Sequence, residues 1–366
     1  MKKNSNVALS VGLVLCLAVG VSACQKPPKY QNIEGKTMGT SYHISFEMPK
    51  DADVASIQAS IDKRLLEINQ SMSTYDDTAT IMAFNRAKVG EQIQIDPDFI
   101  QVLTDAKQIY QASNGAFDPT VMPLVSLWGF GKEMRIDRLQ SPPTTAEIDN
   151  ARRLIDFDSV VLQGNRLSKN KAEVALDFSA IAKGYGVDVV ADVLKSDYKI
   201  NNYMVEIGGE VATFGKNAKG QAWQLGIDEP VINSSVSNRN TIAIIRESKL
   251  GKINLATSGN YRNSLVYDGV RYSHTIDPKT GSPVVNGASS VTVVHDTTAL
   301  ADAWATALTA MPYDKALKTA QDNNLAVLFI VHKFNIHKNM DAHSENQQAD
   351  WQIVETQKMK ALREGN

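Results

Sequence analysis

Asp302 and Thr306 are oxygen-bearing side chains that stand four positions apart in a segment predicted to be helical. Asp296 or Thr297 can cap the start of this helix, because short polar side chains accept hydrogen bonds from its free N–H groups. Residues at i and i+4 share one helical face, so the carboxylate and the hydroxyl lie one turn apart. Two hard oxygens on one face suit Mg²⁺, which leaves coordination places for substrate phosphate. A purely structural pair is the alternative, since the helix dipole favours Asp in the first turns and Thr bonds back to a carbonyl.

His274 stands upstream of this helix, just before a turn that contains Pro278 and Gly281. Proline fixes φ and glycine permits a sharp reversal, so the histidine is expected at the end of an extended segment. A β-branched run over residues 289–295 predicts a strand between the turn and the helix. One stretch of chain therefore holds a histidine, a turn, a strand and a polar helix start.

A second informative stretch surrounds Lys183, where a predicted strand runs into a predicted helix. Asp177, Ser179 and Lys183 cluster at this junction, where free backbone N–H groups and a lysine can hold an anion. Gly184 and Gly186 lack the third glycine of a dinucleotide fingerprint and follow a lysine, so they form neither that fingerprint nor a P-loop. A capped helix with a solvated lysine explains the same residues, and both interpretations are open at this point.

The N-terminal residues have the pattern of a secretion signal. A positively charged start precedes an apolar run from Val7 to Val21, and small residues then lead to Cys24. This arrangement predicts a bacterial lipoprotein signal over residues 1–23, with lipid attached to Cys24. An uncleaved membrane anchor is the alternative, but the apolar run is short for a span. Residues 24–35 are then a lipidated tether, and residues 36–366 form the remaining domain.

Composition excludes several classes of site and partner. Cys16 leaves with the predicted signal and Cys24 carries lipid, so the domain holds no disulfide, catalytic cysteine or zinc–thiolate site. The formal net charge is −2, and lysine and arginine are scattered without a basic stripe, which argues against nucleic acid. With 43% apolar residues, the chain can bury a sizeable core.

Hydrophobic periodicity predicts the elements that must position these residues. Helices are predicted over residues 54–72, from Pro97 to Asn114, over 146–154 and from 182 onward. Strands are predicted over residues 37–46, 160–168 as a hairpin, 203–211, 223–227, 241–246, 264–273, 325–331 and 351–354, with a polar loop from Thr257. Many strands separated by long helices predict an α+β fold with mixed, largely antiparallel sheets and packed helices.

Short sequence blocks along the chain occur in the order found in one enzyme family. The blocks are Met38-Gly39-Thr40, Ser73-Thr74-Tyr75, Ala116-Phe117-Asp118-Pro119, Asp177 to Gly184, Gly208-Gly209, Ser258-Gly259-Asn260-Tyr261, His274 to Pro278 and Asp302-Ala303-Trp304-Ala305-Thr306. On these blocks the chain resembles the ApbE family of FAD:protein FMN transferases from about Lys36 to Met311. A lipoprotein leader fits the same family.

The resemblance implies a flavin held between two lobes, with FAD as substrate and Mg²⁺ as cofactor. The residues that match the family's FAD contacts are Met38, Tyr75, Ala116, Phe117, Asp118, Asp177, Lys183 and Ile276. By the same matching, Mg²⁺ is expected at the carbonyl oxygen of Ala180 and the side chains of Asp302 and Thr306. A carbonyl, a carboxylate and a hydroxyl agree with the hard-oxygen site inferred from the helix pattern.

The activity implied is transfer of the FMN moiety of FAD to a threonine or serine hydroxyl of a redox protein, with release of AMP. His274 is the candidate base for the hydroxyl proton, since an imidazole titrates near working pH; a hydrogen-bonded packing role is the alternative. Two other activities are open: an FAD pyrophosphatase that yields FMN and AMP, and a lipid-anchored FAD carrier. The predicted metal ligands argue against the carrier, because flavin storage needs no metal.

The expected partners are FAD and the flavoprotein subunits of membrane redox complexes, and lipid on Cys24 is expected to hold the protein at a membrane. These expectations place it on the periplasmic side of a bacterial membrane. The family's acceptors favour the inner membrane, although Gln25 is not the aspartate usually linked with retention there.

Overall fold

The computed structural model describes residues 29–130, 138, 141–230, 240–246, 251–259, 264–267, 270–284, 287–332 and 351–364. The predicted lipoprotein signal, Cys24 and Gln25 lie outside these residues, so the signal and the lipid attachment stay predictions. Across the described part of the chain, no helix has both the length and the apolar character that a membrane span requires.

An eight-stranded sheet forms the centre of the fold, in the order β1-β2-β6-β7-β10-β15-β16-β17, and all its neighbouring strands are antiparallel. Its strands are β1 (Tyr30–Thr37), β2 (Thr40–Glu47), β6 (Tyr203–Ile207), β7 (Glu210–Phe214), β10 (Lys252–Gly259), β15 (Ser290–Val294), β16 (Ala326–His332) and β17 (Trp351–Glu355). Small sheets contain β3 (Ile93–Gln94), β4 (Val160–Gln163), β5 (Arg166–Lys169), β8 (Gln224–Asp228), β9 (Thr241–Arg246), β11 (Ser264–Tyr267), β12 (Val270–Ser273), β13 (Ile276–Asp277) and β14 (Ser282–Pro283). The predicted α+β fold with largely antiparallel sheets is confirmed.

Several helices begin where the sequence provides a side-chain cap. They are α1 (Val54–Met72), α2 (Thr80–Arg86), α3 (Pro97–Ala112), α4 (Met122–Leu127), α5 (Thr145–Arg152), α6 (Ala182–Asp192), α7 (Thr298–Thr309), α8 (Tyr313–Asp322) and α9 (Gln357–Glu364). Asp53 caps α1, and Asp96 caps α3, which has proline in its first turn. The hydroxyl of Thr297 accepts the Leu300 N–H at 3.3 Å and caps α7. The helix start predicted near Asp302 is therefore confirmed.

Strand β16 shows that the sheet is covered on both faces. Val327, Phe329 and Val331 belong to a core shared with α3 and α7. Leu328 and Ile330 belong to a second core under the β8–β9 hairpin and α9. Successive side chains point to opposite faces of a strand, so an uninterrupted apolar run is buried on both sides.

Some elements differ from the predictions. Residues 30–35, which we assigned to the tether, lie in β1 and pair with β2. The single strand predicted across Gly208 is two strands, because Gly208 and Gly209 have φ values of 62° and 108° and reverse the chain between β6 and β7. Residues 257–259 of the predicted polar loop are the end of β10, where the Thr257 hydroxyl bonds that of Thr292 at 2.9 Å. The rest of that loop lies outside the described residues. Cross-strand bonds between hydroxyls make a polar sequence stable as a strand.

Candidate active site

The turn between β1 and β2 carries the first predicted flavin contact, Met38. Met38 has φ 50° and Gly39 has φ 73°, the left-handed values that a two-residue hairpin turn requires. Positive φ is uncommon for a residue other than glycine, and such strain clusters at ligand sites. A Cβ on Gly186 of α6 would lie 2.9 Å from Met38 Cε. The turn therefore packs closely on α6, one helical turn beyond Lys183.

Helices α6 and α7 cross at Gly184, beside the predicted metal ligand Asp302. A Cβ on Gly184 would lie 2.4 Å from the Thr298 carbonyl oxygen, so a larger residue would push the helices apart. The Gly184 N–H donates to Asp302 Oδ2 at 3.1 Å. Asp188, further along α6, accepts the first two N–H groups of α7 at 2.8 Å each and caps that helix. These bonds fix the Asp302 carboxylate over the start of α6.

The ammonium group of Lys183 lies between two carboxylates. Its Nζ is 3.3 Å from Glu210 Oε1 and 3.7 Å from Asp302 Oδ2. Glu210 and Asp302 are each 4% exposed. Burial lowers the pKa of Lys183, but the carboxylates of Asp302 and Glu210 outweigh burial and raise it above its ordinary value. Lys183 is therefore a charged, paired member of the site rather than a solvated lysine at a helix start.

A second group of predicted residues meets at Asp177. Its Oδ2 accepts a hydrogen bond from the Thr74 hydroxyl at 3.3 Å, and its N–H donates to the Pro119 carbonyl at 2.9 Å. These bonds join the loop after α1, the corner at residues 116–119 and the segment that leads into α6. Tyr75, next to Thr74, is 76% exposed. Its ring is therefore accessible in the way that a stacking surface for a planar ligand requires.

The corner at residues 116–119 combines core residues with one polar group. Ala116 and Phe117 are buried and anchor the corner, whereas Asp118 is partly exposed. Asp118 Oδ1 accepts hydrogen bonds from the Thr120 N–H at 2.8 Å and the Thr120 hydroxyl at 2.6 Å. Burial raises the pKa of Asp118 to about 6, although these bonds favour the carboxylate form. Asp118 is thus the partly exposed polar group of this corner.

The raised pKa of Asp118 predicts a pH-dependent change in stability. The pKa of its carboxyl is about 6 in the fold against an ordinary value of 3.8, so ionisation destabilises the native state as pH rises through this interval. We expect Asp118→Asn, which keeps an acceptor for Thr120, to be more stable than wild type by about 1–2 kcal/mol at pH 8, allowing for partial exposure. At pH 4 the difference should nearly vanish. Urea unfolding of both proteins measures it, and an equal gain at both pH values would contradict the assignment.

An open cleft of about 740 Å³ runs beside Asp118. Its walls include Arg152, Arg153 and, on the β13–β14 hairpin, Pro278 and Lys279. Asp118 is the one predicted site residue in its lining. The candidate site is therefore defined by the ion pairs and hydrogen bonds around α6, and the cleft connects it to the hairpin that follows His274.

His274 lies between β12 and the β13–β14 hairpin, and Ile276 begins β13. His274 is partly exposed and stands at the end of an extended segment, as predicted. Ile276 is 4% exposed and packs with Leu124, Trp128 and Ala151. The enclosed Ile276 side chain belongs to that small core, so contact of this residue with a flavin would involve its backbone.

The oxygen donors predicted for Mg²⁺ suit a hard divalent cation. Asp302 and Thr306 lie four residues apart in α7, and Ala180 lies two residues before α6. Two buried carboxylates share one ammonium, and burial raises the pKa of Glu210 above its ordinary value, so a further cation would stabilise its charged form. Glu210 Oε2 is buried and has no hydrogen-bond partner among the described residues. These residues fit a divalent cation.

The described side chains include no group of three His, Cys, Asp or Glu arranged to hold a metal. A cation at Asp302 therefore depends on a carbonyl and a hydroxyl as further ligands, as the matched residues Ala180 and Thr306 provide. Carbonyl and hydroxyl oxygens are ordinary ligands for Mg²⁺, which retains several waters.

Glu210 is a site residue that the sequence analysis missed. It directly follows the Gly208-Gly209 pair. Gly208 lies close to both Lys183 and Thr40, because a Cβ on it would lie 3.3 Å from Lys183 Cδ and 2.9 Å from a methyl of Thr40. The signal in the sequence was an acidic residue directly after two glycines. The pairing with Lys183 could not be predicted from it, because Lys183 lies on α6, far away in the sequence.

Comparisons with known proteins point to one family. The model of the ApbE family matches residues 38–329. An FAD:protein FMN transferase of Vibrio cholerae serotype O1 is 41% identical over 330 residues, which are 90% of this chain and 94% of that protein. An FAD:protein FMN transferase of Haemophilus influenzae is 38% identical over 347 residues, which are 92% of this chain and 95% of that protein. The solved structure of the flavin transferase ApbE from Vibrio cholerae has a TM-score of 0.77 and 37% identity, covering 92% of this chain and all of its own.

Proposed function

The chain belongs to the ApbE family, and from this we infer that it transfers the FMN moiety of FAD to a hydroxyl group of another protein. The observation that carries this conclusion is 41% identity over 90% of the chain to an FAD:protein FMN transferase. The site is consistent with it. Residues matched to the family's FAD contacts approach the start of α6 from the β1–β2 turn, the loop after α1 and the corner at residues 116–119.

We propose Mg²⁺ as the cofactor, bound by the carbonyl of Ala180 and the side chains of Asp302 and Thr306. When bound, Mg²⁺ supplies neutralising charge at the diphosphate of FAD, which makes AMP a better leaving group. The oxygen donors on α7 and the two buried carboxylates that share the Lys183 ammonium beside them support this proposal.

The chain's own residues are proposed to bind and orient FAD. The ammonium of Lys183, held charged by its carboxylate neighbours, attracts the diphosphate anion. The exposed ring of Tyr75 offers a stacking surface for a flavin ring. Asp118 and Asp177 offer carboxylate oxygens to the hydroxyl and amine donors of FAD. Met38, pressed against α6, supplies an apolar surface beside them.

The proposed reaction is a single displacement at phosphorus. The hydroxyl oxygen of a threonine or serine in the acceptor attacks the phosphorus that carries riboflavin. A new P–O bond forms, the P–O bond to AMP breaks, and AMP leaves with the electron pair of that bond. His274 takes the proton of the attacking hydroxyl, which strengthens the nucleophile. The product is FMN joined to the acceptor through a phosphoester.

The proposed place of action is the periplasmic side of a bacterial membrane, with the inner membrane favoured. Support comes from the apolar run before Cys24, which reads as a lipoprotein signal. The proposed acceptors are flavoprotein subunits of membrane redox complexes. A lipid on Cys24 would hold the enzyme at the surface where such subunits are found.

Intact-protein mass spectrometry tests the transferase directly. The full-length protein in detergent is incubated with FAD, MgCl₂ and a flavoprotein redox subunit from the same genome. We expect the subunit to gain the mass of one FMN while AMP appears in solution. A chelator should prevent both changes, and an acceptor whose modified threonine is replaced by alanine should gain no mass.

The same measurement distinguishes the other two activities. Free FMN and AMP without a mass gain on the subunit would indicate an FAD pyrophosphatase. FAD recovered intact with the protein would indicate a flavin carrier. Either result would contradict transfer to this acceptor, and a second subunit from the genome would then be tested for mass gain.

A further inference from the structure

The ammonium of Lys183 has two possible partners, and the structure places it closer to one of them. Nζ lies 3.3 Å from Glu210 Oε1 but 3.7 Å from Asp302 Oδ2. Asp302 is the carboxylate proposed to bind the cation. An ammonium that paired fully with Asp302 would compete with a metal ion for the same oxygens, since both are cations.

Glu210 is held firmly where it contacts the lysine. It begins β7 and pairs with Ile207 of β6 across the tight turn. The Gly209 N–H of this turn donates to Glu206 Oε1 at 2.6 Å, which fixes the turn further. Gly208 leaves room for the aliphatic stem of Lys183, because a Cβ on this residue would lie 3.3 Å from Lys183 Cδ. The Lys183 side chain therefore passes the turn and places its ammonium beside Glu210.

Glu210 also retains an unused acceptor. Glu210 is 4% exposed, and its Oε2 is buried without a hydrogen-bond partner among the described residues. A buried carboxylate is costly unless a cation pairs with it, so Glu210 holds the Lys183 ammonium as its charge partner.

We propose that Glu210 is a positioning residue of the divalent-cation site: it draws the Lys183 ammonium away from Asp302 and leaves that carboxylate able to bind the cation. The inference rests on the proposed function, because it takes the Mg²⁺ site at Asp302 as given. It adds a residue that contacts none of the reacting atoms. Removal of such a supporting carboxylate typically weakens metal binding by about 10-fold to 100-fold.

Binding of Mn²⁺ tests this role without any turnover. Mn²⁺ prefers oxygen ligands as Mg²⁺ does and is counted by its electron paramagnetic resonance signal. The full-length protein is titrated with MnCl₂ in the absence of FAD. We expect Glu210→Gln, which keeps the shape but removes the charge, to raise the Kd for Mn²⁺ by about 10-fold. Glu210→Asp should recover part of this loss.

A double variant separates an effect through Lys183 from a direct one. If Glu210 acts by drawing off the ammonium, Glu210→Gln should change the Kd by less than about 2-fold when Lys183 is already methionine. Lys183→Met alone should bind Mn²⁺ at least as tightly as wild type, because a competing cation is gone. An unchanged Kd in Glu210→Gln, or a full 10-fold loss in both backgrounds, would overturn the inference.

Glu206→Gln is the matched control. Glu206 lies on the neighbouring strand at the same turn and forms a hydrogen bond with His43 instead of contacting Lys183. After the change it keeps an acceptor for the Gly209 N–H. Its Kd for Mn²⁺ should equal that of wild type, and thermal unfolding should show all variants folded. Wild type that binds no Mn²⁺ with or without FAD would refute the proposed metal itself. If wild type binds Mn²⁺ and transfers FMN, but Glu210→Gln has the wild-type Kd for Mn²⁺, only the role of Glu210 is refuted.

Discussion

Replacement of Asp302 by alanine is expected to abolish FMN transfer, a loss of at least ~10³-fold, together with its dependence on Mg²⁺. Asp302 supplies the charged oxygen ligand of the proposed site, and it is buried beside Lys183, so water cannot easily take its place. Loss of the carboxylate would leave two neutral oxygens from the protein, which bind Mg²⁺ weakly. The rate of mass gain on the acceptor, measured across a MgCl₂ titration, reports both effects.

Two further variants show whether the loss comes from the metal or from the fold. Asp302→Asn keeps an acceptor for the Gly184 N–H, so it should preserve the crossing of α6 and α7 while remaining nearly inactive. Asp322→Ala removes an exposed aspartate at the end of α8 whose partner is Lys318 at 2.8 Å, and it should transfer FMN at the wild-type rate. Full activity in Asp302→Ala would exclude this residue from the metal site.

Replacement of His274 by alanine is expected to slow transfer by at least ~10²-fold while FAD binding stays intact. The proposed role of His274 is to take the proton from the attacking hydroxyl, a step that follows substrate binding. Quenching of flavin fluorescence gives the affinity for FAD, and single-turnover mass spectrometry gives the rate. The predicted signature is therefore an unchanged Kd beside a reduced rate.

A surface histidine provides the comparison for this variant. His43 on β2 has a side chain that is 53% exposed and bonds Glu206 at 2.7 Å, so His43→Ala should leave both measurements unchanged. Transfer at the wild-type rate in His274→Ala would remove the histidine from the mechanism. A large loss of FAD affinity would instead indicate the packing role that the sequence left open.

Local sequence determined the elements that carry the site. Helix α1 spans Val54–Met72, the range that its apolar periodicity predicts, and Thr297 caps α7 so that Asp302 and Thr306 share one face. The order of the short blocks also identified the family, because eight blocks in one order are far more specific than any single block. These features depend on contacts within about one helical turn or on motifs that are contiguous in the chain.

The tertiary structure decided which side chains meet. Glu210 and Lys183 belong to different elements, and only the pairing of β6 with β7 beneath α6 brings their charges within 3.3 Å. Asp188 became the cap of α7 for the same reason, since its two N–H partners belong to another helix. The end of β10 has a polar sequence that predicts a loop. It is a strand because the Thr257 hydroxyl finds its partner on β15, a contact that the local sequence does not show. Periodicity records which face of an element is buried but not which distant element covers it, and burial beside a specific partner is what turns a carboxylate into part of a site.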